Sequence, residues 1–312
     1  MIDLDAKIYV AGHNGMVGSA ICRLLKNKGY NNLLLKSHQE LDLTCQDDVN
    51  DFFKTEKPDV VFLAAAKVGG INANMNNQSA FLMENIGIEY NVINAAFNHD
   101  VNDLMFLGSS CIYPAQSKQP IKEEYLLNGP LEPTNEGYAL SKIVGLKACQ
   151  YYNEQYGTNY IGVMPTNLYG INDNFDLESS HLVPAIIRKM HEAKVNNSPE
   201  VEIWGTGKPY RELLFVDDMA DATLFAFENY SGKSFVNVGT GQDLTIKEIS
   251  ETIKDIVGYD GELYFNTSKP DGMYRKLLDV SKLNDLGWKP KYSLEEGLKI
   301  TYEWYLNNLE KK

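Results

Sequence analysis

The stretch KIYVAGHNGMVGSAI, residues 7–21, decides the fold class of this chain. It begins with a short apolar run, passes through three regularly spaced glycines (Gly12, Gly15 and Gly18), and continues with apolar residues at helical spacing. A strand, a glycine-rich turn and a helix in this order are typical of a dinucleotide-binding βα unit, because glycines let the backbone approach a pyrophosphate at the helix N-terminus. The spacing alone would also fit an ordinary tight turn.

Strands and helices alternate from this stretch to about residue 165. Apolar runs at 33–35, 60–64, 104–107 and 160–164 predict strands, and helical periodicity predicts helices at 19–29, 49–54, 80–98 and 138–156. Continuous rather than alternating apolar strands are typical of a parallel sheet that is covered on both faces. We therefore predict an α/β fold: a doubly wound parallel (Rossmann) sheet with a smaller C-terminal α/β substrate domain.

The regular alternation stops after about residue 165. Residues 172–180 and 195–207 look loop-rich and surround a predicted helix at 182–194, while 213–216 and 235–238 predict further strands. The predicted division is a dinucleotide-binding domain at 1–165, to which 213–240 returns, and a mainly substrate-binding domain at 166–312.

Composition narrows the class of protein. The formal net charge of the 312 residues is −13, which argues against nucleic acid and anionic membranes as partners but allows a small anionic ligand held by local cations. No apolar run approaches a bilayer span, and the N-terminus lacks the features of a signal peptide, so we expect a cytoplasmic protein. The four cysteines are scattered without CxxC pairs, which disfavours a metal site and a disulfide framework.

The residues after the second predicted strand favour NADP over NAD. An NAD enzyme usually places Asp or Glu there to bind the ribose 2′-hydroxyl, whereas a 2′-phosphate needs cations. Lys36, Ser37 and His38 occupy this place, and the first acid is Glu40.

Three polar residues predict a hydride-transfer site. Ser109 follows a strand, at the sheet edge where such folds bind ligands, and Tyr138 and Lys142 are one helical turn apart. A phenol titrates near ~10 in water. We expect the ammonium and a nicotinamide cation to lower the pKa of Tyr138, and Ser109 to orient the reacting oxygen.

Several strings carry a family resemblance, and they cover nearly the whole chain. They are GHNGMVGSAI (12–21), AAAKVGGINAN (64–74), SSCIYP (109–114), LEPTNEGYALSK (131–142), MPTNLYG (164–170), WGTGKPYRELLFVDDMADA (204–222) and NVGTG (237–241). The chain resembles the extended short-chain dehydrogenase/reductase family and, within it, the GDP-L-fucose synthases. That group converts GDP-4-keto-6-deoxy-D-mannose to GDP-L-fucose by 3,5-epimerisation and NADPH-dependent 4-keto reduction.

The resemblance implies an NADP-dependent oxidoreductase with epimerase activity. Cys111 would be the thiolate base and His181 the acid that exchange protons beside the ketone, in addition to Ser109, Tyr138 and Lys142. By position alone, Cys111 fits a buried structural thiol equally well, and His181 fits a helix cap residue.

The resemblance also implies the ligand contacts. Expected cofactor contacts are Gly12, Asn14, Gly15, Met16, Val17, Gly18, Lys36, Ser37, His38, Leu41, Ala64, Ala65, Ala66, Asn85, Lys142, Pro165, Asn167, Leu168 and His181. Expected nucleotide-sugar contacts are Lys189, Trp204, Arg211 and Asp271. Asn14 and Lys189 stand where arginine is common in the family, and the change at Asn14 weakens the argument for strict NADP preference.

Other interpretations remain open at this point. The chain could be another nucleotide-sugar enzyme of the family, such as a UDP-hexose 4-epimerase or a 4-keto sugar reductase. A non-catalytic dinucleotide-binding regulator is the alternative of a different class, which the intact Ser109, Tyr138 and Lys142 disfavour. By analogy with relatives we expect a homodimer formed through helices at 80–98 and 138–156.

Overall fold

Helices and strands alternate regularly in the first half of the computed structural model, which describes residues 2–232, 234–269 and 271–309. This half contains β1 (Ile8–Ala11), α1 (Met16–Asn27), β2 (Leu33–Leu34), α2 (Gln46–Glu56), β3 (Val60–Leu63), α3 (Ile71–Asn76), α4 (Gln78–Asn98), β4 (Asp103–Leu107), α5 (Glu136–Tyr156) and β5 (Asn159–Pro165). Three single-turn 3₁₀ helices lie between β4 and α5, at Ser110–Ile112, Glu123–Tyr125 and Pro133–Asn135.

The second half is more irregular. It contains β6 (Asn167–Tyr169), α6 (Leu182–Val195), β7 (Glu200–Trp204), β8 (Tyr210–Arg211), β9 (Leu213–Phe215), α7 (Val216–Asn229), β10 (Phe235–Val238), β11 (Leu244–Thr245), α8 (Ile246–Val257), β12 (Glu262–Asn266), α9 (Ser281–Asp285) and α10 (Leu294–Asn307).

Six strands form one parallel sheet in the order β10-β5-β4-β3-β1-β2. The predicted doubly wound parallel sheet is therefore confirmed. From β1 the chain first adds β2 on one side and then crosses to add β3 on the other. The glycine-rich loop follows β1 at this change of direction, which is the place where open α/β sheets bind ligands.

The two faces of the sheet carry separate cores, because successive side chains of a strand point to opposite faces. On one face, Tyr9 and Phe106 pack with the helices α2, α4 and α5. On the other face, Val10 and Met105 pack with α1 and α7. Burial on both faces explains why the strands are continuously apolar in sequence.

A third core lies in the C-terminal part. The helices α6, α8 and α10 pack around it, together with the parallel pair β7 and β12. The sequence-based expectation of a loop at 195–207 is wrong, because β7 lies there, with Val201 and Ile203 buried between exposed neighbours. Two inward positions were too short a pattern to distinguish a strand from a loop.

The chain returns to the first sheet through α7 and β10. Helix α7 packs against α1, and β10 pairs with β5 as an edge strand. Strand β9 pairs instead with β6 in a separate two-stranded sheet, and Val216, expected in this strand, begins α7. The division into domains near residue 165 stays a prediction.

Across the described ranges, the helices are too short or too polar to cross a membrane. In the same ranges, His, Cys, Asp and Glu side chains do not gather into a group of three or more with metal-binding geometry. All four cysteines are free thiols, and Cys111 is buried beside the predicted catalytic residues.

Candidate active site

The glycine-rich loop after β1 is shaped by close backbone contacts. Gly12 has a φ of +83°, and a Cβ there would lie 2.7 Å from the backbone of Ala65. A Cβ at Gly18 would overlap the carbonyl group of Gly12. The turn closes with a hydrogen bond from the Gly15 N–H to the Gly12 oxygen at 3.0 Å. Side chains at positions 12 and 18 are therefore excluded by the chain itself.

This loop fits the pyrophosphate of a dinucleotide. Within the described part of the chain, Gly15 is the N-cap residue of α1 and no side chain caps the helix, so the first N–H groups of α1 remain free to bind an anion. The small side chains of Ala64, Ala65 and Ala66 follow β3 on the neighbouring strand, and Ala64 N–H bonds to the Ala11 oxygen at 3.0 Å. Of the other predicted contacts in this loop, Asn14 is exposed, and Met16 and Val17 are partly buried.

The predicted 2′-phosphate site contains an acid that the sequence argument had placed outside it. The N–H and hydroxyl groups of Ser37 donate to the Glu40 carboxylate at 2.8 and 2.7 Å, and these bonds lower the pKa of Glu40. A phosphate contact by Ser37 would require Glu40 to release both donors. Lys36 is partly exposed, and His38 is largely exposed, 3.9 Å from Asp42.

Two expected cofactor contacts have buried side chains. Leu41 packs in the core on the α2 side of the sheet. The Asn85 amide donates to the Lys67 and Phe81 carbonyl oxygens at 3.0 and 2.8 Å and accepts from the Lys67 N–H at 2.7 Å. Since these bonds occupy its amide, Asn85 holds the loop after β3 rather than lining a ligand face.

The catalytic candidates meet at the carboxyl end of β4. Ser109 begins the 3₁₀ helix that follows this strand, and its hydroxyl oxygen accepts from the Cys111 N–H at 3.4 Å. Tyr138 and Lys142 project from successive turns of α5, with the ammonium 5.9 Å from the phenol ring centroid. Lys142 also donates to the Leu107 carbonyl oxygen at 3.1 Å. The structure thus brings together four residues from two separate sequence motifs.

The start of α4 positions the start of α5. The side-chain oxygen of Gln78 accepts from the Gly137 N–H at 2.7 Å, and its NH₂ group donates to the Pro133 oxygen at 2.6 Å. The Phe81 ring makes an edge-to-face contact with Tyr138 at 6.4 Å. These contacts fix the first turn of α5, on which the phenol lies.

The surroundings of the partly buried Tyr138 phenol favour its protonated form. Burial raises the pKa of Tyr138 well above its usual value, negative charge on Cys111 and Glu89 adds to this, and hydrogen bonding to Ser109 opposes it. The expectation of a lowered pKa is therefore wrong for this structure, because desolvation of the phenolate and the negative charges of Cys111 and Glu89 outweigh the hydrogen bonding to Ser109. A protonated phenol suits the proton donor of a reduction.

Cys111 has a cationic neighbour that the sequence argument missed. Burial raises the pKa of this thiol, while the positive charges of Lys276 and Lys142 and a hydrogen bond to Ser109 oppose the rise. Lys276 is partly buried next to Arg211, and desolvation lowers the pKa of its ammonium. The only sequence signal is a pair of cations, Arg275 and Lys276, placed before two apolar residues.

His181 directly precedes α6. Its backbone is extended (φ −82°, ψ 177°) at the N-cap position, where the side chain makes no capping bond within the described chain. Solvent reaches the side chain, yet the surrounding protein lowers the pKa of the imidazole by desolvation. The preceding segment docks on the loop after β3 through a 3.0 Å bond from the Gly70 N–H to the Ser179 oxygen.

The residues that are predicted to contact the nicotinamide lie at and after the end of β5. Pro165 ends this strand, and the Thr166 hydroxyl and the Asn167 amide both donate to the Glu212 carbonyl oxygen, at 3.2 and 2.9 Å. Leu168 is partly buried next to them in β6. This segment lies at the carboxyl end of the sheet, as do the glycine-rich loop and Ser109.

The predicted nucleotide-sugar residues form a second group on the C-terminal part. The ammonium of Lys189 lies 5.5 Å from the ring centroid of Trp204, whose side chain is 51% exposed. The Asp271 carboxylate accepts from the N–H and hydroxyl of Thr206, at 2.8 and 2.7 Å. Asp271 therefore fixes the turn after Trp204.

Arg211 connects this group to the catalytic candidates. Its guanidinium donates to the Tyr210 and Met273 carbonyl oxygens at 2.6 and 2.7 Å. Burial lowers the pKa of Arg211, and the charge of Asp271 opposes this. Since Arg211 and Lys276 also influence each other electrostatically, positive charge continues from the second group towards Cys111.

Comparison with known proteins agrees with this geometry. Residues 8–239 match the NAD dependent epimerase/dehydratase family. A putative GDP-L-fucose synthase 2 of Arabidopsis thaliana is 57% identical over 100% of this chain and 95% of its own length. The GDP-L-fucose synthase of Escherichia coli K12 is 51% identical over 98% of each chain.

A solved structure adds the cofactor. The GDP-L-fucose synthetase from Naegleria fowleri bound to NADP has a TM-score of 0.92 and 28% identity, covering 99% of this chain and 97% of that chain. The resemblance seen in the sequence is confirmed. This chain belongs to the NAD dependent epimerase/dehydratase family and, within it, to the group of the GDP-L-fucose synthases.

Proposed function

We propose that this chain is an NADPH-dependent epimerase-reductase that converts GDP-4-keto-6-deoxy-D-mannose to GDP-L-fucose. The main support for this proposal is the cluster of Ser109, Cys111, Tyr138 and Lys142 at the end of β4. Reduction of a ketone needs only the hydroxyl groups and the ammonium. A thiol beside them supplies the additional base that inversion at carbons flanking a ketone requires.

NADP(H) is the cofactor, and when bound it supplies the hydride. The free N–H groups at the start of α1 would bind the pyrophosphate, and Lys36 and His38 would contact a 2′-phosphate. Ala64, Ala65 and Ala66 leave room beside the glycine-rich loop, while Pro165, Asn167 and Leu168 would flank the nicotinamide.

In the reduction, Tyr138 donates its phenol proton to the 4-keto oxygen as that oxygen gains charge. Ser109 donates a second hydrogen bond to the same oxygen and stabilises the developing charge. Lys142 holds a positive charge 5.9 Å from the phenol ring, which stabilises the phenolate that is left.

In the epimerisation, the Cys111 thiolate removes a proton from the carbon next to the ketone, and the electron pair moves to the carbonyl oxygen. His181 returns a proton to the opposite face, which leaves Cys111 as the thiol and His181 as the neutral imidazole. Because solvent reaches His181, proton exchange with water restores both groups before the second carbon is inverted. The charge of Lys276 favours the thiolate against the effect of burial.

The GDP part occupies the second group of residues. Trp204 offers an exposed face for stacking on the base, and Lys189, Arg211 and Lys276 supply cations for the diphosphate. Asp271 shapes the turn after Trp204; a direct contact of Asp271 with the substrate stays a prediction.

A reductase without epimerase activity is the second candidate. The observation that favours it is the raised pKa of Cys111, which disfavours a resting thiolate. A UDP-hexose 4-epimerase would need no base at this position and would keep its dinucleotide bound through the whole reaction.

We also propose a cytoplasmic homodimer formed through α4 and α5. Their outer faces expose Met83 (64%), Tyr90 (55%), Val144 (48%) and Tyr151 (52%). Each pair is seven residues apart on its helix, so each forms part of one apolar stripe.

The deciding experiment supplies the purified protein with GDP-4-keto-6-deoxy-D-mannose and NADPH. NADPH oxidation is followed by absorbance, and the product is compared with GDP-L-fucose by chromatography. We expect GDP-L-fucose to form. Formation of only the unepimerised GDP-6-deoxy sugar would favour the second candidate and remove Cys111 and His181 from their roles. Absence of NADPH oxidation, with NAD copurifying with the protein, would favour the 4-epimerase.

A further inference from the structure

A buried carboxylate lies behind the catalytic lysine and has no part in the reaction proposed above. Glu89 is on α4 and is 1% exposed, which is unusual for an acidic residue. Its carboxylate lies 3.2 Å from the Lys142 ammonium, and both side chains are 2% exposed. Because burying a charge is costly, an ion pair at this depth calls for a role beyond stability.

The packing of α4 against α5 is built around this carboxylate. A Cβ at Gly145, one turn after Lys142, would lie 2.6 Å from Glu89 Oε2 and 2.6 Å from the Phe106 ring. Any side chain at position 145 would therefore displace the carboxylate. Glycine at this position keeps the two helices close enough for Glu89 to reach Lys142.

The Lys142 ammonium is surrounded on several sides. In addition to Glu89 it contacts the Leu107 carbonyl oxygen at 3.1 Å, the Phe106 ring at 4.9 Å and the Tyr138 ring at 5.9 Å. A lysine side chain is otherwise among the most flexible, so these contacts restrict the ammonium to one position.

We propose that Glu89 is a positioning residue of the active site, which holds the Lys142 ammonium beside the Tyr138 phenol and balances its positive charge. This inference rests on the proposed role of Tyr138 in the reduction. Glu89 does not touch the reacting atoms; it acts through the lysine and through its own charge.

The direction of the electrostatic effect follows from the neighbours. Glu89 faces Lys142, Tyr138 and Cys149 on α5, and Tyr138 also faces Cys111 after β4. The negative charge of Glu89 raises the pKa of Tyr138. It opposes the positive charge of Lys142, which lies 5.9 Å from the phenol ring. Burial raises the pKa of Glu89 itself to about 7, with Lys142 opposing that rise.

Removal of this charge should therefore shift the pH dependence in one direction. In Glu89→Gln the lysine charge is no longer compensated, so the phenolate is favoured and the pKa of Tyr138 falls. The protonated donor is then lost at lower pH. We expect the alkaline limb of the kcat profile for keto-sugar reduction to move down by about 1 pH unit or more, as is usual for one nearby charge.

Two further variants make the test specific. Glu89→Asp keeps the charge but withdraws it from Lys142, so its alkaline limb should lie between those of the wild type and Glu89→Gln. Asp218→Asn is the matched control. Asp218 is also 1% exposed, but it lies on α7, on the other face of the sheet, and accepts hydrogen bonds from the backbone N–H groups of Lys291 and Tyr292. We expect Asp218→Asn to lower the melting temperature and leave the limb unchanged.

The measurement is the pH profile of kcat together with KM for the keto sugar in each variant. A limb in Glu89→Gln within about 0.3 pH unit of the wild type, well below the expected shift, would overturn the proposal. If Glu89→Gln does not fold, an unshifted limb in Glu89→Asp overturns it instead. Tyr138→Phe distinguishes failure of the proposed function from failure of this inference. Full activity in Tyr138→Phe would refute the proposed hydride-transfer site. An inactive Tyr138→Phe together with an unshifted alkaline limb in Glu89→Gln would refute only the role of Glu89.

Discussion

At the scale of single residues, burial and neighbouring positive charges have opposite effects on the pKa values of the active-site groups. The Cys111 thiol and the Tyr138 phenol both have raised pKa values because their charged forms lose solvent. For the phenol this is useful, since a donor must carry its proton. For the thiol the raised pKa is unfavourable, because a base must lose its proton. Lys276 and Lys142 oppose the rise by favouring the thiolate. The two groups thus need opposite protonation states within one small volume.

Cys111→Ser tests the assignment of the base. A serine hydroxyl has nearly the size of the thiol but does not ionise near neutral pH, so proton removal next to the ketone should slow by about 10²-fold or more. The measurement is deuterium incorporation from heavy water into C3 and C5 of the keto sugar, by mass spectrometry without NADPH. NADPH oxidation on the unepimerised sugar should continue, because Ser109, Tyr138 and Lys142 remain.

Cys22→Ser is the control for this prediction. Cys22 is also a buried thiol, but it belongs to α1 and lies in the core between the sheet and the helices α1 and α7. We expect it to retain deuterium exchange at the wild-type rate. Exchange at the wild-type rate in Cys111→Ser would contradict the role of Cys111 as base.

At the scale of elements, α4 and α5 combine three tasks. Their inner faces pack on the sheet, their contact with each other encloses Glu89 and Lys142, and their outer faces expose apolar side chains. Apolar residues on several sides of one helix weaken the simple two-faced pattern of a surface helix. The sequence nevertheless predicted both helices, because their apolar residues recur over many turns.

We predict that α4 and α5 form the dimer interface, and that Val144→Glu with Tyr151→Asp produces a monomer. Both side chains are about half exposed on the outer face of α5, and charges there would be buried against a second copy. Sedimentation equilibrium at micromolar protein checks the mass. The control is Val195→Glu at the end of α6, an apolar position away from this face that is 65% exposed. A wild-type protein that sediments as a monomer would contradict the prediction.

At the scale of the whole molecule, sequence reasoning succeeded where the signal is local or comes in long motifs. The parallel sheet and the positions of Ser109, Tyr138 and Lys142 follow from apolar runs and from a helical spacing. It failed at β7, where only Val201 and Ile203 point inward.

Contacts between distant segments could not be predicted in the same way. Lys276 reaches Cys111 from far along the chain, and Glu89 meets Lys142 only because two long helices cross at Gly145. The protonation state of a side chain also depends on how deeply it is buried, and the spacing of residues in the sequence does not reveal this. For that reason the expected direction of the Tyr138 pKa was wrong.

Cofactor binding joins parts of the chain that are distant in sequence, so it should stabilise the whole fold. The glycine-rich loop, the residues after β2 and β3, and the end of β5 all lie at one edge of the sheet. A ligand that binds only the folded state at 100 times its Kd adds about 2.7 kcal/mol to the free energy of unfolding. We therefore expect saturating NADP⁺ to raise the melting temperature by about 5–10 °C, at about 2–4 °C per kcal/mol, measured by differential scanning fluorimetry.

The same measurement decides how strongly the chain prefers NADP over NAD. NAD⁺ at equal concentration should give a smaller rise, because it lacks the 2′-phosphate that Lys36 and His38 would meet. The double variant Lys36→Ala with His38→Ala should reduce the rise with NADP⁺ to that with NAD⁺, whereas Lys26→Ala, which removes an exposed cation of α1, should not. Equal rises with both dinucleotides in the wild type would mean that Glu40, hydrogen-bonded to Ser37, sets the specificity instead of the two cations.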